Sequence, residues 1–98
     1  MAIEMLTLLE AELDIRNAPA PRKVQLQQLL DVAAQRIKQR GITLDSVHDD
    51  GDAHLQVEFA AWLYRRRAKA DSAIMPEYLR LDLNDRLIAE KARVTDGS

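Results

Sequence analysis

Near the middle of the chain two histidines stand among aspartates, as His48-Asp49-Asp50-Gly51-Asp52-Ala53-His54. Imidazole and carboxylate are the ligand types of zinc and calcium sites, so spacing decides whether they build one. Placing Gly51 at the obligatory glycine of a calcium loop puts Ser46 and His48 at the first and third ligand positions. Val57 then falls where a bidentate Glu belongs, and the motif fails. The stretch reads instead as a solvated acidic loop, one of whose last aspartates can cap the following helix.

Asp82, Asp85 and Glu90 could supply an acid–base pair. No nucleophile, glycine-rich loop or pocket-forming stretch accompanies them. Arg80, Arg86, Lys91 and Arg93 interleave with them, so intrahelical pairs on an exposed face are the simpler reading. The chain has no Cys, which removes thiol catalysis, cysteine zinc sites and a disulfide framework. The expectation is a non-enzyme, with no catalytic residue, cofactor, metal or small-molecule substrate.

The densest charge is Arg65-Arg66-Arg67-Ala68-Lys69. Three uses fit it: cations solvated at a helix C-terminus, contact with phosphates, or contact with carboxylates of a partner protein. Residues 1–15 carry −4, 16–40 carry +5, 41–58 carry −5, 59–70 carry +4 and 71–98 carry −2. A net charge of −2 and a pI near 5.6 argue against a general nucleic-acid module. Such alternating blocks suit self-complementary association better. Arg65, Arg66, Arg67 and Lys69, with Asp49, Asp50 and Asp52 at the other end of the same helix, are therefore the candidate interface residues. About 21 Å separates Asp52 from Arg66 along a helix, too far to pair, which would leave both clusters for neighbours.

The element that must hold these clusters is a helix over about 53–69. Leu55, Phe59, Trp62 and Leu63 fall on one helical stripe, and Val57, Ala60, Ala61 and Tyr64 cover most remaining angles. A helix apolar nearly all round belongs inside a domain or a membrane. This run is far shorter than the ~20 residues that span a bilayer. It is expected at the centre of a small all-α bundle of about four helices, where Ala60 and Ala61 let a neighbour approach closely.

Around it, Thr7-x-x-Glu10 has capping-box spacing and predicts a short first helix from Leu8, with Leu9 and Leu13 sharing a face and fraying by Asn17. Asn17-Ala18-Pro19-Ala20-Pro21 stops it. A second helix is predicted over about 21–40, with Leu26, Leu30, Ala33 and Ile37 inward, flanked by Val24, Leu29 and Ala34, and with Gly41 after its end. Residues 42–52 read as an irregular acidic loop in which Ile42 and Leu44 can pack extended. Pro76 suits the first turn of a last helix with Leu79, Leu83, Leu87 and Ile88 on one side. Residues 78–83 also alternate like a strand, and the helical continuation over 84–92 decides for helix. The expected core is Leu26, Leu30, Ile37, Leu55, Phe59, Trp62, Leu63, Leu83 and Leu87. The 98 residues make one helical domain over 1–93, small enough that oligomerisation would supplement its core, and a flexible tail over 94–98.

The order of Leu6-Thr7-Leu8-Leu9-Glu10, Arg36-Ile37-Lys38-Gln39-Arg40-Gly41, Ala60-Ala61-Trp62-Leu63-Tyr64-Arg65-Arg66-Arg67, Met75-Pro76 and Leu83-Asn84-Asp85-Arg86-Leu87 resembles the head–tail connector, or head-completion, proteins of tailed bacteriophages. The likeness covers about 5–91 and departs at 17–21, where such proteins often enter the second helix through acidic residues. It implies a structural virion protein that assembles as a homo-oligomeric ring between portal and tail. Its partners would be the portal protein and the tail or neck proteins, with no membrane and no sequence-specific nucleic acid. The first residues carry no basic-then-apolar leader, so synthesis in the cytoplasm is expected, and the resemblance implies a final place in the virion neck after assembly in the bacterial host cytoplasm. The alternatives are a small helical DNA-binding regulator, with the Arg65–Lys69 cluster on phosphates, and a cytoplasmic adaptor whose groove binds a partner helix.

Overall fold

The computed structural model describes residues 4–16, 18–46, 48–68 and 74–96, with the side chains of Ala68 and of 93–96 left aside. It is all-α among those residues: α1 (Met5–Glu12), α2 (Ala20–Gln39), α3 (Asp50–Ala68) and α4 (Glu77–Asp96). The central apolar helix is α3, which packs on α1, α2 and α4 alike. Ala60 and Ala61 are fully buried, and Leu55, Val57, Phe59, Trp62 and Leu63 nearly so. Leu26, Leu30 and Ile37 complete the core from α2, Leu9 from α1, and Leu79 and Leu83 from α4. Leu87 is half-buried and packs against the edge of this cluster. Gln56, a polar exception within the apolar run, is buried and donates to the Leu30 carbonyl at 2.8 Å.

Four expectations about helix ends and faces are corrected. α1 starts at Met5, with Glu4 before it and no side-chain cap, so Thr7 lies inside the helix. A cap contributes about 1 kcal/mol, whereas Met5 and Leu6 both pack against the core, and burying an aliphatic side chain contributes about 1.5–3 kcal/mol. Burial wins. α3 begins at Asp50, three residues before the expected start, because Asp49 caps it. On α4, Leu79 and Leu83 are buried as expected, but Ile88 is 65 % exposed. α4 is helical through the ambiguous 78–83 stretch, and its backbone continues to Asp96, into the segment expected as a tail.

Two helices end in left-handed residues. After α1, Asp14 adopts φ 57°. Its N–H donates to the Ala11 carbonyl at 3.1 Å and that of Ile15 to Glu10 at 2.8 Å, the paired bonds of a Schellman end. After α2, Gly41 adopts φ 98° and donates to Lys38 at 2.9 Å, as its position predicts. The chain then runs irregularly through 42–46 and 48–49, with Ile42 buried and Leu44 half-buried against the core. Glu90 of α4 holds this loop, accepting both the backbone N–H of Thr43, at 3.1 Å, and its hydroxyl. Glu90 is thus a link between elements.

Candidate assembly surface

The fold uses the two charged ends of α3 differently. Asp49 immediately precedes the helix, and its Oδ1 accepts the Asp52 N–H at 2.9 Å, satisfying one of the open donors of the first turn. Asp52 is only 6 % exposed. Its Oδ2 accepts the Asp45 N–H at 2.8 Å, and its Oδ1 lies 2.5 Å from Nη1 of Arg86. Arg86 Nη2 also approaches Asp49 Oδ1, at 4.0 Å. Gly51 leaves room for this guanidinium, since a Cβ there would sit 2.8 Å from Arg86 Nη2.

Asp49 and Asp52 are therefore both engaged within the subunit, Asp52 as a buried carboxylate and Asp49 as an exposed one. A carboxylate withdrawn from water needs a charged or hydrogen-bonded partner, and α4 brings one back across the start of α3. Asp50 stays exposed. His48 is exposed too, with Nδ1 3.1 Å from Asp45 Oδ1.

At the basic end the arginines diverge. Arg65 Nη2 donates to the Glu12 carbonyl of α1 at 3.2 Å and lies 3.9 Å from that residue's carboxylate. Arg66 places its guanidinium 5.6 Å from the centre of the Trp62 ring, a cation–π contact. Arg67 is exposed, and Lys69 lies outside the described residues. Arg66 and Arg67 join Arg36 of α2 around an open groove of about 410 Å³ whose floor is Leu29, Val32 and Leu63. Arg36 was not legible as a site residue, because nothing in the spacing of α2 distinguishes it from that helix's other cations.

α3 and α4 also enclose a cleft of about 240 Å³, lined by His54, Leu55, Glu58, Asp82, Asp85 and Arg86 with Gly51 at its end. Burial pushes the Glu58 carboxyl up to about 6, helped by a hydrogen-bonded contact with Asp82 and its charge, while His54 pulls the other way. Asp82 and Asp85 are legible in the sequence as paired carboxylates, whereas Glu58 is hidden in the apolar run of α3. The cleft brings carboxylates and one imidazole together without a nucleophile beside them. Among the described residues no group of three His, Asp or Glu side chains is placed to hold a metal ion.

The third surface was missed altogether. Ile74 (84 % exposed), Tyr78 (47 %), Leu81 (49 %) and Ile88 are large apolar side chains left in solvent. Tyr78, Leu81 and Ile88, spaced by three and seven residues, fall on one stripe, on the side of α4 away from the buried Leu79 and Leu83, and Ile74 lies three residues before the helix begins. No helix among the described residues is long and apolar enough to cross a membrane. Comparisons of the chain with protein-family models, with curated proteins and with solved structures found no match.

Proposed function

We propose that the chain is a structural, non-catalytic subunit of a tailed-bacteriophage virion, a head–tail connector that assembles as a ring between portal and tail at the virion neck. The observation that carries an assembly role is the uncovered stripe of Tyr78, Leu81 and Ile88 on α4. Fully burying one such side chain is favourable by about 1.5–3 kcal/mol, so the stripe gains most from an extended protein surface. A small ligand could not cover a row that runs along three turns of helix. The resemblance of Ala60–Arg67, Met75-Pro76 and Leu83–Leu87 to connector proteins supplies the ring, its place in the neck, and the portal and tail proteins as partners.

Electron microscopy of the concentrated protein and of its native particle tests this reading. Closed rings with an axial channel, and density for the protein between head and tail, are the expected result. A protein that stays monomeric at all concentrations and binds DNA with a steep salt dependence would overturn it in favour of the regulator. Stoichiometric capture of a single amphipathic peptide without self-assembly would favour the adaptor instead.

A further inference from the structure

Two surfaces that the fold leaves uncovered are complementary. The groove between α2 and α3 has an apolar floor of Leu29, Val32 and Leu63 and a rim of Arg36, Arg66 and Arg67. The outer side of α4 carries Tyr78, Leu81 and Ile88, and the exposed carboxylates nearest that stripe are Glu77, Asp82 and Asp85. Arg86 turns inward to Asp52 and Arg80 lies 3.9 Å from Glu77, so the acidic flank of the stripe is that of Asp82 and Asp85. One surface is apolar and basic, the other apolar and acidic.

We infer that the α2–α3 groove receives α4 of a second copy of this chain, apolar stripe against apolar floor and carboxylates against arginines. The inference rests on the reading of the chain as a self-assembling subunit and identifies the contact. Stripe-to-stripe pairing would set Asp82 and Asp85 against their own copies, and groove-to-groove pairing would oppose arginines; like charges across an interface select against both. The dimensions agree: Tyr78 to Ile88 spans about 15 Å of helix, and the α2 wall from Leu29 to Arg36 about 10 Å. α4 is packed on α3 of its own subunit and cannot also fill that subunit's groove. Each copy therefore offers its groove to one neighbour and its α4 to another. Such a heterologous contact propagates and closes as a ring when the rotation permits.

The test uses two variants, each blocked on one surface. Arg36→Glu with Arg67→Glu blocks the groove, and Leu81→Glu with Ile88→Glu blocks the stripe; all four positions are exposed, and circular dichroism checks folding. Asp82→Lys with Asp85→Lys is a second stripe variant, at exposed positions that also line the Glu58 cleft, so its folding is checked in the same way. Sedimentation velocity should show wild type assembling beyond the dimer and each blocked variant weakened at least about tenfold. An equimolar mixture of the two blocked variants should form a heterodimer and stop there, because it retains one intact groove and one intact α4. Placing Asp82→Lys and Asp85→Lys in the groove-blocked chain should restore part of the assembly. Wild-type assembly with no heterodimer from the mixture overturns this contact and leaves the connector reading standing. Undiminished assembly of the groove-blocked variant overturns it too, and a wild type that never associates overturns both.

Discussion

Arg86 on α4 sets its guanidinium 2.5 Å from the Asp52 carboxylate, a buried group in the first turn of α3. The pair joins the start of one helix to the middle of another, and Asp52 also accepts the Asp45 N–H of the loop before α3. Three segments thus meet on one carboxylate. Removing Arg86 would leave that carboxylate buried with only its backbone donor, and an uncompensated buried group costs more than the pair itself contributes. Arg86→Ala should destabilise the domain by about 1–3 kcal/mol in urea unfolding. Asp49→Lys, at an exposed carboxylate 4.0 Å from Arg86, should lose mainly the helix cap, about 1 kcal/mol. Equal costs for the two would show that Asp52 is not the charge Arg86 serves.

Glu58 gives the domain a pH dependence with a definite sign. Its folded carboxyl titrates near 6, above the ordinary 4.5, because burial and the neighbouring Asp82 disfavour its charge. The folded chain therefore holds this proton more tightly than the unfolded chain does. The stability it contributes is fully present below about 4.5 and is lost as pH rises through about 6. Glu12, His54, Asp82, Asp85 and Arg86 are the other ionisable groups around it. Glu58→Gln should remove the loss, making the variant more stable than wild type at pH 7 but not at pH 4, by on the order of 1 kcal/mol given partial solvation. Parallel melting curves at the two pH values measure the difference.

Trp62 is buried with its ring edge-on to Phe59, centroids 5.5 Å apart and planes at 81°, and Arg66 covers it from the solvent side. Trp62→Ala should cost about 3–5 kcal/mol, a large share of a small domain's total stability. A variant melting within a few degrees of wild type would place Trp62 outside the core.

The core was legible because apolar periodicity reports burial directly: Leu26, Leu30, Ile37, Leu55, Phe59, Trp62, Leu63 and Leu83 all lie where their spacing puts them. Charge pairing was not. Spacing along one helix reveals only neighbours three or four residues apart, such as Glu77 and Arg80, 3.9 Å apart. Arg86 with Asp52 and Glu90 with Thr43 are contacts between elements far apart in the chain, which no local pattern encodes. The outer stripe of α4 was obscured for a different reason. Leu79, Leu81 and Leu83 share one face of a strand, but in a helix Leu81 turns to the opposite side from its two neighbours. Once 78–83 is helical, Leu81 joins Tyr78 and Ile88 in solvent.

Asp14 closes α1 at φ 57°, a conformation that costs an ordinary side chain about 1–2 kcal/mol, and an aspartate somewhat less. Glycine carries no such penalty there and is the usual residue at this position of a Schellman end. Asp14→Gly should raise stability by about 0.5–1 kcal/mol, read as a higher urea midpoint with an unchanged slope. A lower midpoint would mean that the carboxylate itself supports the turn.

The three arginines at the end of α3 should separate by experiment, although the sequence presents them as one cluster. Arg65 is tied to α1, where its guanidinium donates to the Glu12 carbonyl at 3.2 Å and approaches the Glu12 carboxylate at 3.9 Å. Reversing its charge turns a weak attraction into repulsion and removes a bond to the last turn of α1. Arg65→Glu should accordingly cost the isolated subunit about 1 kcal/mol, in the range of a half-exposed ion pair plus one hydrogen bond. Arg66 lies over the Trp62 ring, and Arg66→Glu should lose a cation–π contact worth about 0.5–1 kcal/mol at an exposed site. Arg67 is exposed at the rim of the groove, so Arg67→Glu should leave the melting temperature of the monomer within experimental error. Its effect belongs to association, where it should weaken self-assembly and steepen the response to salt less than wild type does. The decisive comparison is unfolding of the monomer beside self-association for the three single variants. Stability effects that are the same for all three would return the cluster to a uniformly solvated helix end. Folding loss confined to Arg65 and Arg66, with assembly loss at the groove-rim residues Arg66 and Arg67, is the pattern these contacts require.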